Sequence, residues 1–125
     1  MKNDIRYRED LMLLMTRFYK KLLADESISY LFTDIAKINP DRHFPVLVDF
    51  WDSILFQSDT YRDNAMQHHI ILQRKSPFHK HHFETWLRYF AETVDELFEG
   101  EKAFLAKERA TSIATVMLIK ISQAS

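Results

Sequence analysis

Histidine is the residue type in this sequence with the most chemistry to offer. It ligates metals, moves protons and titrates near neutrality. Six histidines occur, and five of them fall within Met66 to Phe90, MQHHIILQRKSPFHKHHFETWLRYF. Two histidines that share one zinc from a single helix want a spacing of four, and no pair here has it. The Glu-x-x-His pattern of di-iron bundles is also missing. His79, His81 and His82 read as a solvated first helical turn, with only His82 near the core edge. A divalent-metal protein using His79 and His82 would have ligands but no evident geometry. His68 and His69 are neighbours, so on a helix they point about 100° apart and cannot share a face. His69 lies three residues after Met66 and three before Leu72, which makes it the inward one.

Other catalytic chemistries find no support. The absence of cysteine removes disulfides, thiolate nucleophiles, Cys-ligated zinc and iron–sulfur clusters. There is no Gly-x-Ser-x-Gly elbow and no phosphate-binding glycine loop. What remains is one inward histidine, a core rich in phenylalanine and a few inward polar tips. A haem asks for that set: an axial imidazole on one side, apolar walls, and one or two hydrogen-bond donors on the other. On periodicity alone, an ordinary helical interaction module with incidental histidines explains the same residues.

The elements that would position these groups are helical. One glycine and three prolines leave little material for tight hairpin turns, and no stretch alternates apolar and polar for long. The fold class is therefore all-α, in a single domain over residues 1–125. Asn3 or Asp4 can cap a first helix running to about Ala24, with Leu11, Leu14/Met15, Phe18 and Leu22 as its core stripe. Tyr19 flanks that stripe and points at the core or its border. Ser27 can cap a short turn ending near Phe32. Asn39-Pro40-Asp41 is a helix start. The helix that follows carries His43, Leu47, Phe50/Trp51, Ile54 and Leu55. Pro45 implies either a regular helix beginning near Phe44 or an irregular first turn. A short helix is expected over Ala65 to Leu72. A longer one is expected over 79–99, burying Phe83, Trp86/Leu87, Phe90, Val94 and Leu97/Phe98. Gly100 is placed to end it in a left-handed cap. The last helix, from about Glu101 to Ser122, would bury Leu105, Ala106, Ala110, Ile113/Ala114, Met117 and Ile121.

Composition narrows the partners. A net charge of −1, with acids and bases interspersed, argues against nucleic acid or an anionic membrane. No apolar run reaches the ~18 residues of a membrane span. The N-terminal MKNDIRYRED lacks the apolar middle of a signal peptide, so a cytoplasmic protein is expected. Aromatics make up 14% of the residues, with ten phenylalanines, more than a bare bundle needs. Wide flat side chains suit the lining of something wide and flat.

Four local patterns together resemble the truncated haemoglobins, and specifically their third group. They are the Phe18-Tyr19 pair; His43 seven residues before Phe50-Trp51; Asn64-Ala65-Met66 followed by His69 and Leu72; and Ser76-Pro77 leading to His82-Phe83, Trp86-Leu87 and Phe90. The segment ETVDELFEGEKAFLAKERATSIATVM is similar to the family's last two helices. The resemblance spans nearly the whole chain and includes the lack of double-glycine motifs. It implies a truncated globin-like two-over-two helical sandwich around haem b (iron protoporphyrin IX). By position, His69 would be the proximal iron ligand, and Tyr19, His43 and Trp86 the distal residues around O2, NO or another diatomic ligand. Leu47, Phe50, Met66, Leu72 and Phe83 would line the pocket. His68, Arg74 and Lys75 lie beside the expected haem edge, where they could pair with propionates. NO dioxygenation or peroxidase-like chemistry would need an electron-donating reductase, because the chain has no flavin or nicotinamide site. A monomer or weak homo-oligomer is expected.

Overall fold

A computed structural model of the protein describes residues 2–35, 40–56 and 79–124. All regular structure among them is helical. The helices are α1 (Arg8–Ala24), α2 (Glu26–Tyr30), a π-helical turn (Leu31–Ile35), α3 (Pro40–Phe56), α4 (Lys80–Leu97) and α5 (Glu101–Ala124). Two pairings dominate: α1 packs on α3, and α4 packs on α5. Contact between α1 and α4 lays one pair over the other. The expected short helix over Ala65 to Leu72 lies outside the described residues.

Spacing explains why each helix buries the face it does. On α1, Leu11, Leu14, Met15, Phe18, Tyr19 and Leu22 are buried, three and four residues apart, so they form one stripe. The core continues through Val48, Trp51 and Leu55 of α3, Phe90 and Val94 of α4, and Ala103, Ala106 and Ala110 of α5. The alanine row on α5 lets its backbone come close to α4 while Leu105 and Ile113 pack half-buried at its edges. The α3 helix begins at Pro40 and runs on with Pro45 inside it, so the helix starts well before Phe44. Pro45 lies just past the first turn, so it removes the N–H that would otherwise reach the Asp41 carbonyl one turn back.

The helix bounds at Ala24, Pro40 and Glu101 are those expected, but the capping groups differ from what local sequence suggests. Asp4 does not cap α1. Its carboxylate accepts the backbone N–H groups of Lys102 (2.9 Å) and Ala103 (2.8 Å), so it caps α5 from nearly a hundred residues away. The start of α1 is held instead by Asp10, which accepts from the backbone N–H groups of Arg6 and Tyr7. Gly100 is not a C-terminal cap for α4, which ends at Leu97 with Phe98 extended. Gly100 precedes α5 at φ +140, and a Cβ there would stand 2.6 Å from the Asp4 Cγ. The glycine thus leaves room for the carboxylate that caps the helix. Likewise Asp25, not Ser27, caps α2: it accepts from the Ser27 N–H at 2.9 Å and the Ser27 hydroxyl at 2.7 Å. The same carboxylate accepts the Tyr89 hydroxyl at 2.5 Å, joining the α1–α2 corner to α4. Arg8 spans Asp49 (2.6 Å) and Asp52 (3.1 Å), joining α1 to α3.

Burial works to raise the Asp4 pKa, but the three backbone donors it accepts outweigh that, and the carboxyl sits below its usual value of 3.8. A depressed carboxyl stabilises the fold at pH above its unfolded value, and the contribution is lost as pH falls through the folded one. Asp4→Ala is expected to cost about 1–2 kcal/mol at neutral pH in urea unfolding, with Asp4→Asn recovering most of it. Gly100→Ala is expected to cost ~1 kcal/mol or more, because the new methyl meets the capping carboxylate.

Candidate functional site

Phe18 is the common neighbour of Tyr19 and Trp86, two of the residues singled out by the sequence. It is 1% exposed, and its ring meets Tyr19, Trp86 and Phe90 edge-on at centroid distances of 5.5, 5.5 and 5.3 Å. Phe90 in turn stacks on Trp51 at 5.0 Å and on Trp86 at 5.6 Å. Aromatic pairs in these geometries are each worth about 0.5–1.5 kcal/mol beyond simple burial. Tyr19 on α1 and Trp86 on α4 are therefore held from behind by one rigid group of rings.

Tyr19 and His43 come together. The Tyr19 hydroxyl lies 2.9 Å from His43 Nε2, and the two rings meet edge-on at 5.4 Å. Tyr19 is 5% exposed, so it is a core residue with a polar tip and not a boundary tyrosine. Burial pushes its pKa well above that of a free phenol, so the hydroxyl keeps its proton at every physiological pH. It can donate to His43 Nε2 when that imidazole is neutral with its proton on Nδ1. Phe32 and Phe44 enclose the Tyr19 ring at 5.5 and 5.1 Å. Neither stood out in the sequence. Phe32 sits in the π-helical turn, where the residue count per turn changes and helical spacing no longer predicts the inward face.

The apolar rows beside this pair are incompletely covered. On α3, His43, Leu47 and Phe50 follow one another at helical spacing and are half-buried, while Val48, Trp51 and Leu55 behind them are fully buried. On α4, Phe83, Trp86 and Leu87 are half-buried, and Phe90 and Val94 are fully buried. Trp86 is thus on the margin of the core, not inside it. Large apolar side chains left partly open on two helices, with a polar pair at the mouth, fit a flat apolar cofactor laid against them. His69, His68, Met66, Leu72, Arg74 and Lys75 lie outside the described residues.

The remaining histidines separate by burial. His79 and His81 are exposed, as expected of a solvated first turn, but His82 is only 4% exposed. Its Nδ1 accepts the His79 backbone N–H at 2.9 Å, and its Nε2 faces the Tyr30 hydroxyl at 3.2 Å. With both nitrogens engaged inside the protein, His82 is not poised to share a metal ion with His79. Among the described residues no three His, Asp or Glu side chains are grouped to hold one.

No family model matches the chain. The group 3 truncated hemoglobin ctb of Campylobacter jejuni is 25% identical over 118 residues, which span 92% of this chain and 91% of that protein. The crystal structure of group III truncated hemoglobin from Campylobacter jejuni matches with a TM-score of 0.85 at 25% identity, covering 97% of this chain and 95% of that one. The fold is that of a truncated globin. Within that class, the likeness in both sequence and structure is to the group III truncated haemoglobins.

Because Phe18 backs both Tyr19 and Trp86, Phe18→Ala is expected to destabilise the protein by about 3–5 kcal/mol. Urea unfolding checks the stability, and the near-ultraviolet circular dichroism of the tryptophans should change with it.

Proposed function

We propose that this protein is a b-type haem protein that binds O2 or NO, with His69 as the proximal iron ligand and Tyr19, His43 and Trp86 on the distal side. The observation that carries the reading is the Tyr19–His43 pair, a buried, permanently protonated phenol 2.9 Å from an imidazole, beside half-buried aromatic rows. The likeness to haem globins supports it. A ferrous haem supplies an open coordination position for a diatomic ligand.

The residues of this chain then have separate tasks. A neutral His69 presents one ring nitrogen for coordination, and a partner for the other nitrogen fixes its tautomer. Leu47, Phe50, Met66, Leu72 and Phe83 would keep the cofactor dry, and His68, Arg74 and Lys75 would pair with its propionates. With the His43 proton on Nε2 and donated to the Tyr19 oxygen, the Tyr19 hydroxyl would be free to donate, beside the Trp86 indole N–H, to a diatomic ligand. Each such bond is worth ~1–3 kcal/mol in a buried setting. His43, bonded to Tyr19 and half-buried at the start of α3, sets the direction of that hydroxyl and borders the entrance.

Turnover of NO or peroxide belongs to the same reading and calls for a reductase as electron donor. We place the protein in the cytoplasm, as a monomer or weak homo-oligomer. No helix among the described residues is long and apolar enough to cross a membrane.

The purified protein is expected to show a haem absorption band that His69→Ala abolishes or grossly alters and His68→Ala leaves in place. Equal loss in both variants removes the ligand assignment. A colourless protein that gains no thermal stability from hemin favours a haem-free helical module. Tyr19→Phe is expected to speed O2 release roughly five- to 150-fold, the equivalent of one buried hydrogen bond. Stopped-flow dissociation measures this, and an unchanged rate takes Tyr19 out of the ligand's hydrogen bonds.

A further inference from the structure

The start of α4 is chemically unusual. His79, Lys80, His81 and His82 follow in sequence, and the first turn contains no acid. Acids normally favour this end of a helix, where the dipole is positive. The three imidazoles are close, with centroids 4.1 Å apart for His81 and His82, 5.5 Å for His79 and His82, and 5.8 Å for His79 and His81.

His82 gives this turn its structure. It is the third helical residue, and its Nδ1 reaches back to accept the N–H of His79, which precedes the helix. Glu or Gln usually does this work. A ring nitrogen that accepts carries no proton, so neutral His82 holds its proton on Nε2. That nitrogen faces two groups of α2, the Tyr30 hydroxyl at 3.2 Å and the Ser27 carbonyl. One buried imidazole therefore caps α4 with one nitrogen and ties it to α2 with the other. Trp86 sits one turn further along the same face.

We propose that His82 is a proton-sensitive positioning residue: a proton taken up at Nδ1 breaks the cap of α4, loosens its first turn from α2 and shifts Trp86. Nδ1 cannot hold a proton and accept the His79 N–H at once. The groups facing the ring are His79 and His81 from α4's own end, and Tyr30 with the Ser27 carbonyl from α2. Lys80 is exposed and near Glu84, while Asp25 of the α2 cap is occupied by Ser27 and Tyr89. Burial, then charge on His81 and His79, holds His82 below the usual histidine value of 6.5, and the Ser27 carbonyl works against them. A histidine depressed in the folded state stabilises the fold above its unfolded pKa, and that contribution is lost as pH falls from there towards the folded value. The consequence for ligand retention rests on Trp86 acting as a distal donor.

Hydrogen exchange of the purified full-length protein, read by mass spectrometry over residues 80–90 and corrected for the intrinsic pH dependence, tests this. In the wild type, protection of the first turn of α4 should fall about tenfold between roughly pH 7.5 and pH 5.5. His82→Gln keeps an acceptor for the cap but cannot titrate, so its protection should stay flat. Histidine side-chain nitrogen NMR of the wild type should show folded His82 with its proton on Nε2 and Nδ1 unprotonated at neutral pH, with Nδ1 taking up a proton only towards the acid end of that span or below it. Flat protection in the wild type, an equal fall in His82→Gln, or a proton on Nδ1 of His82 at neutral pH overturns the proposal. Backbone protection does not depend on gas binding. A missing haem band would therefore count against the proposed function and leave this test standing.

Discussion

The contact between Phe18 and Phe90 is the constraint on which the rest of the structure depends. It joins α1 to α4 at 5.3 Å, and Phe90 carries it on to Trp51 of α3. Three helices that share no local sequence are locked at one point. Everything polar in the candidate site hangs from that point by one or two residues. Tyr19 follows Phe18 directly, and Trp86 precedes Phe90 by a single turn. A buried hydroxyl is costly to misplace, because without its partner it is a desolvated donor. Anchoring it next to a fully buried ring keeps its direction fixed.

The helical core was readable in the sequence because its rule is local. Leu11, Leu14, Met15, Phe18 and Leu22 repeat at a spacing that only one face of a helix can satisfy, and all of them are buried. The same holds for Phe90, Val94 and the alanines of the last helix. Several helix bounds were readable too, Ala24, Pro40 and Glu101 among them, but the caps were not, because their rule is not local. Asp4 looks like a cap for the helix a few residues on, yet it caps one that begins near residue 101. Gly100 looks like the end of α4, yet it makes space at the start of α5. A carboxylate caps whichever helix start the tertiary fold brings within reach.

The site was legible to a similar depth. Helical spacing placed His43, Leu47 and Phe50 on one row, and they share it. Spacing could not bring Tyr19 to His43, since they come from different helices joined through a π-helical turn that resets the periodicity. In the run HKHH it set His82 nearer the core than His79 or His81, but not as deep as its 4% exposure. His82 is inward because Tyr30 offers a hydroxyl on α2 to meet it, and nothing in the spacing of either helix announces that partner.

The helix α4 shows how one element can serve both the core and a responsive site. Its C-terminal half is fixed by Phe90 and Val94 in the core, and the chain beyond it by Phe98 and the Glu99 N–H bonded to the Asn3 carbonyl. Its N-terminal turn is fixed by one imidazole and a phenol. Apolar burial is indifferent to pH, whereas an imidazole cap is not. The two halves therefore respond differently to the same change in solution. Trp86 lies between them, stacked on Phe90 on one side and one turn from His82 on the other. Were the imidazole cap to open, Phe90 would remain the fixed point of the helix, and the first side chain of the proposed site beyond it is Trp86.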